Sequence, residues 1–335
     1  MSAESQAASP VTTLTTPLPA ADTGRWLGAG AALATVLLWA AGLVATRFGV
    51  TGALSVWDVI FLRMLLPALL LLPILLPLLR APAALIRNGV NPLWFIVMMA
   101  GAGLPFMLIS STGMFFAPAA HAGALMPGSM PLFAALLAVL LLGERFNTQR
   151  RLGTLLMLLG AIAVGGWQVI AGLESESMGD TWRGDLMFVF CGALWASYTI
   201  ALKKTGIGIW QAAALVYASA FILYAPVYLL WLDSRILQAP AFEVGVQLVQ
   251  SVASGLLSMA AYGFAVRRLG PAPAAAFAAL TPALTALLAV PLLGEWPDTV
   301  TWIGIIAVSL GVALANGALS AGAFSRYNRT NHQRG

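Results

Sequence analysis

A small set of side chains in this 335-residue sequence could do chemistry, and all of them stand in or beside long apolar runs. Trp39 and Trp195 sit mid-run, where an indole can stack on a solute or simply pack against a neighbouring helix. His121 is the only histidine of the apolar region; it could sense protons or bind a carboxylate, because imidazole changes charge near neutral pH. Its plainer role is a neutral ring bonding a backbone carbonyl freed by proline. Pro127, Pro131 and Pro282 each remove a backbone donor, and the freed carbonyls could receive an ammonium group or merely mark a bend that serves as a gate. Hydroxyls cluster at Ser110, Ser111 and Thr112, at Ser197, Tyr198 and Thr199, and at Ser258 and Tyr262, which share one helix face. They could bind a small polar solute, although Ser and Thr in apolar helices are often satisfied by their own backbone. Arg63 could snorkel outward, pair with Asp58, or offer charge to an anion at a cavity mouth, with snorkelling carrying most weight. Glu144 and Glu295 end two helices, where the dipole disfavours an acid, so each needs a cation or an N-terminal amide; both read as gate or fold residues.

The elements that hold these groups are set by composition. The chain is 60% hydrophobic and only 9% charged, which excludes a water-soluble fold. Its net charge of +5 comes from scattered Lys and Arg that form no basic face, so nucleic acid is not an expected partner. A single cysteine, Cys191, excludes an intrachain disulfide framework and makes a zinc cage implausible. No phosphate-binding Gly-x-x-x-x-Gly-Lys-Ser/Thr loop is present, which disfavours ATP-driven action. One Cys with one apolar-region His supplies no nucleophile and base pair, so an intramembrane enzyme is not expected. A channel would keep a continuous polar helix face, which the chain lacks beyond the patches named above.

A membrane-spanning helix needs about 20 apolar residues. Apolar runs bounded by charges predict ten helices, at 26–48, 57–79, 92–116, 119–142, 150–170, 185–203, 209–232, 243–266, 272–293 and 299–320. The charge-free stretch from Arg87 to Glu144 divides near Pro118, because Pro favours a helix start over its interior. With the N-terminus in the cytoplasm, 13 of the 17 Lys and Arg fall inside and four, Arg47, Arg63, Arg183 and Arg235, fall outside. Glu174, Glu176, Asp180 and Asp185 are then expected in one outer loop, and both termini inside. Residues 1–24 and 321–335 read as cytoplasmic tails, the first disordered and without the features of a cleaved signal.

The chain also repeats itself. The segment Pro131 to Glu144 lies over Pro282 to Glu295 with ten of fourteen positions identical, at an offset of 151. The match continues to pair Gly153 with Gly304 and Gly160 with Gly311, and Leu38-Trp39-Ala40 pairs with Leu194-Trp195-Ala196 at an offset of 156. Five helices per half, at 25–172 and 185–320 around an outer loop at 173–184, force the second copy to enter the membrane from the opposite side.

These motifs resemble the EamA-type members of the drug/metabolite transporter superfamily, over about residues 26–320. The resemblance rests on Leu38-Trp39-Ala40, on Arg63, and on the endings Pro131…Gly143-Glu144 and Pro282…Gly294-Glu295; where the family usually has Trp-Gly, this chain has Trp39-Ala40 and Trp195-Ala196. It implies an all-α fold of ten helices in two inverted five-helix repeats, with helices 5 and 10 peripheral and a central cavity lined mainly by helices 1, 3, 4, 6, 8 and 9. Among the branches the chain looks most like the YddG-type bacterial amino-acid exporters. The resemblance implies a secondary transporter of the bacterial inner membrane that exports small metabolites, foremost amino acids, by alternating access; nucleosides, drugs, other amphipathic metabolites and a solute channel are the alternatives. The expected partners are a small-molecule substrate and the lipid bilayer, with no cofactor and no metal, in a monomer or a dimer.

Overall fold

The computed structural model describes residues 21–80, 91–142, 148–166 and 180–315, and every regular element among them is helical. The helices are α1 (Ala21–Thr51), α2 (Val56–Leu70), α3 (Leu72–Arg80), α4 (Leu93–Ala102), α5 (Leu104–Phe116), α6 (Ala119–Leu142) and α7 (Thr148–Ala161). They continue with α8 (Thr181–Thr205), α9 (Ile209–Trp231), α10 (Ala241–Val252), α11 (Ser258–Leu269), α12 (Pro271–Ala276), α13 (Thr281–Leu293) and α14 (Thr299–Ala315). Six stretches are long and apolar enough to cross a membrane: Gly24–Thr51, Leu93–Phe116, Thr181–Thr205, Ile209–Trp231, Ala241–Leu269 and Pro273–Leu293. The pair α2 and α3 makes a seventh if its two parts form one span.

Several helices are interrupted, each for a local reason. α2 and α3 meet at 68° around Leu71. Pro73 has no N–H to donate backwards and disfavours helical geometry in the residue before it, so the helix stops and restarts with proline in its first turn. α4 yields to α5 at Gly103, where a Cβ would stand 2.2 Å from Met99 O and the next residue but one is Pro105. α10 and α11 are joined by a π-turn at Ala253–Leu257, and a π-turn at Ile162–Gly166 follows α7. Between α12 and α13 the chain tightens into a 3₁₀ turn, Phe277–Leu280. Pro282 lies just beyond it in the first turn of α13, where its missing donor is not needed. Pro127 and Pro131, expected to mark a bend in the first half, lie inside an unbroken α6.

One expectation needs correction at α8. Asp185 was expected in the outer loop, but α8 begins at Thr181 and Asp185 is buried within it.

Glycines show how the halves fit. α7 packs on α14, and a Cβ on Gly153 would stand 2.7 Å from Gly311 O while one on Gly160 would stand 2.7 Å from Gly304 O. Because Gly153 corresponds to Gly304 and Gly160 to Gly311, the repeat carries the first contact onto the second. The pattern recurs inside the bundle. A Cβ on Gly42 of α1 would stand 2.5 Å from Ser254 Cβ, and one on Gly101 of α4 would stand 2.9 Å from Tyr198 Cβ. The offset of 156 carries Gly42 to Tyr198, so equivalent positions of the two halves both meet close neighbours. Small residues let backbones touch where apolar lipid provides no hydrophobic drive between helices.

α2 and α9 start alike. Ser55 N donates to Asp58 Oδ2 at 2.8 Å, and Gly208 N donates to Gln211 Oε1 at 3.0 Å, so each helix has its first free amide satisfied three residues on. The core beneath is formed by Ile60, Met64, Met114, Leu125, Phe188 and Ile305, all fully buried.

Candidate functional site

α8 carries one of the aromatic groups inside the bundle. Trp195 stands between Phe106 of α5, with ring centroids 5.3 Å apart, and Tyr198 one turn on, 5.2 Å away. Trp195 packs against the main core and Tyr198 against the smaller cluster around Met98 and Ala201, and both rings remain half-buried. On the other side Trp39 of α1 lies 5.9 Å from Tyr262 of α11, again with both rings half-buried. The expected pair of indoles therefore belongs to two ring groups, with no ring contact between the groups among the described residues.

Arg63 stands within α2 and faces α5. The residues flanking it on α2, Leu62 and Met64, are buried, and the guanidinium turns inward so that Nη1 donates to Ser111 Oγ at 3.3 Å. It does not pair with Asp58. That carboxylate accepts from Ser55 N and Oγ, from Tyr228 Oη and from Arg235 N, which ties the start of α2 to the end of α9 and the turn beyond. The electrostatic neighbours of Arg63 are Tyr217 of α9 and Cys191 of α8.

His121 is also not free. Its Nδ1 lies 2.8 Å from Asp185 Oδ1, and both side chains are almost wholly buried, at 5% and 8% exposure. A carboxylate buried in a membrane bundle is costly unless paired, and this pairing joins α6 to α8. Asp185 Oδ2 has no hydrogen-bond partner among the described residues. The corresponding positions of the repeat are Ala29 and Ala272, so the duplicated scaffold does not require the pair.

Two residues before His121, at the start of α6, lies a second charged contact. Arg47 Nε donates to Glu295 Oε1 at 2.6 Å, and Arg47 Nη1 donates to the carbonyls of Met114 and Phe115 at the end of α5. Glu295 Oε2 accepts from Ala119 N at 2.9 Å, the first amide of α6. The acid after α13 thus finds both a cation and an N-terminal amide, and four helix ends meet on one carboxylate. Glu144, its counterpart in the first half, lies outside the described residues. A recess of 580 Å³ opens at this end, lined among others by Thr51, Ser55, Trp57, Thr112, Phe116 and Arg235.

The expected hydroxyls mostly serve their own helices. Ser110 Oγ donates to Met107 O, Ser197 Oγ to Ala193 O, Thr199 Oγ1 to Ala196 O and Ser258 Oγ to Ser254 O. Ser111 is the exception, because it receives Arg63. The sequence reading passed over Tyr217, Asp185 as an interior group, and the buried amides Gln247 and Gln250. Gln247 Nε2 donates to Ala45 O at 2.7 Å and Gln250 Nε2 to Gln247 Oε1 at 3.2 Å, which fastens α10 to α1. Two glutamines in an apolar stretch were the available signal. Among the described residues no three His, Cys, Asp or Glu side chains gather to hold a metal.

The model of the EamA-like transporter family matches the chain twice, at residues 26–166 and 182–317. No curated protein matches it. Thirteen chains of solved structures do, and one of these, a protein described only by its crystal structure, is 20% identical with a TM-score of 0.53. That alignment covers 88% of this chain and 98% of the other, a likeness of fold.

Proposed function

We propose that this chain, which belongs to the EamA-like transporter family, is a secondary transporter of the bacterial inner membrane that exports small metabolites, amino acids foremost. Membership in the family makes it a multi-pass membrane transporter of small solutes and not an enzyme. The finer reading is ten spans in two inverted five-helix halves, at 25–172 and 185–320, with both termini cytoplasmic.

The observation that carries this reading is the exchange of contacts under the repeat, Gly153–Gly311 for Gly304–Gly160. Two halves that pack through equivalent contacts can trade conformations, so a site between them opens to one side and then the other. Arg47, Glu295 and Ala119 close one end in this arrangement, and Lys203 and Glu144 are the sequence counterparts of Arg47 and Glu295 at the other. The half-buried rings of Trp195 and Tyr198 suit a neutral or aromatic side chain. Because His121 is held by Asp185, it is assigned to coupling and not to the cargo's carboxylate.

The test is counterflow of labelled amino acids into proteoliposomes holding the purified full-length protein, with Trp39→Ala and Trp195→Ala beside the wild type. Uptake in the wild type that Trp195→Ala lowers at least tenfold supports the reading. Absence of counterflow for every amino acid sinks the substrate class.

A further inference from the structure

We infer that Arg63 is the anion-binding group of the cargo site, so that the transported solute carries a carboxylate, which docks on the guanidinium with its apolar remainder toward Trp195 and Tyr198. The inference rests on the transporter reading and names the substrate chemistry of that same site.

Three observations converge on it. First, Arg63 has spare donors in a place where they are costly to keep. A guanidinium carries five N–H groups, and the hydrogen bond to Ser111 Oγ uses one. No acidic side chain among the described residues pairs with it. The acids within or at the ends of the spans are engaged elsewhere: Asp58 by Ser55 and Tyr228, Asp185 by His121, Glu243 by Ala53 N, and Glu295 by Arg47. An isolated cation among apolar helices is retained against a steady cost and marks a functional position.

Second, its surroundings fit the rest of an amino acid. Cys191, an electrostatic neighbour of Arg63, lies one helical turn before Trp195 on α8, and Tyr198 follows on the same face. Phe106 packs on Trp195 and supplies the wall from α5. Tyr217, the other neighbour, brings its hydroxyl against α10–α11 at the π-turn, where a Cβ on Gly255 would stand 2.5 Å from Tyr217 Oη. A π-turn in an otherwise regular helix is frequent at functional sites.

Third, the scaffold does not call for an arginine here. Aligning the starts of α2 and α9, Ser55 on Gly208 and Asp58 on Gln211, places Val216 opposite Arg63. The half without the arginine still forms a helix with the same N-terminal cap.

The experiment compares three probes in counterflow and in tryptophan-fluorescence titration of the full-length protein: L-phenylalanine, N-acetyl-L-phenylalanine and L-phenylalaninamide. The first two carry a carboxylate, and the third has the same ring without it. The expected result in the wild type is binding of both carboxylates at least tenfold tighter than the amide. Arg63→Gln should lower affinity for the carboxylates at least tenfold and leave the amide unchanged, and Arg63→Lys should recover part of the loss. Equal binding and exchange of all three probes overturns this inference while leaving the transporter reading in place, and needs no variant to fold. Absence of exchange for every probe overturns the amino-acid reading and this inference together.

Discussion

Arg47 and Glu295, 248 residues apart, share a hydrogen bond of 2.6 Å between Nε and Oε1, and the second oxygen of the same carboxylate holds Ala119 N at 2.9 Å. The contact gathers the ends of α1, α5 and α13 and the start of α6 onto one acid. Both side chains are only 17% and 19% exposed, so the pair is less screened than a surface salt bridge.

Arg47→Gln and Glu295→Gln should each weaken this closure by about 1–2 kcal/mol, or roughly tenfold in the population open at that end. The check is the labelling rate of Thr112→Cys, in a Cys191→Ala background, by a membrane-impermeant maleimide. The rate should rise about tenfold with either change, and the exchanged pair Arg47→Glu with Glu295→Arg should return part of it. An unchanged rate in both single variants would show that this carboxylate does not govern access.

Removing one member of the His121–Asp185 pair leaves the other buried without its partner. Asp185→Asn and His121→Gln should each destabilise the protein by about 3–5 kcal/mol, and the double change should cost less than the sum of the two. Thermal unfolding of the detergent-held protein reads this as non-additive shifts in Tm.

Gly160→Val and Gly304→Val should each overpack the α7–α14 contact, because a Cβ at either position would stand under 3 Å from the facing carbonyl. A cost of about 1–3 kcal/mol is expected for each. Tm falling by several degrees in both, with less than additive loss in the double variant, is the expected outcome; wild-type stability in either would mean that the helices separate freely.

How much of this was legible beforehand depends on whether local or distant residues set each feature. Span positions follow from runs of apolar residues, so the sequence marks the helical stretches well. The repeat is legible because Pro, Gly and Glu recur at fixed spacing, and its offset pairs Gly153 with Gly304 and Gly160 with Gly311 before any contact is seen. Charges misled where partners are remote. Asp185 was read as the boundary of a span, since an acid ordinarily ends one, but its partner His121 lies 64 residues away and lets the acid enter the helix. Pro127 and Pro131 lie within α6, and Ser129 Oγ between them donates to Leu125 O and Met126 O.

The residues that break the repeat have a consequence for energy. In a chain whose halves were identical, conformations facing opposite sides of the membrane would be mirror partners of equal free energy. Here Arg63 faces Val216 in the alignment, and His121 and Asp185 face two alanines. In the alternating-access cycle proposed above, these substitutions would lift the degeneracy and give the protein a preferred resting face, with three unmatched ionisable side chains setting which way it idles.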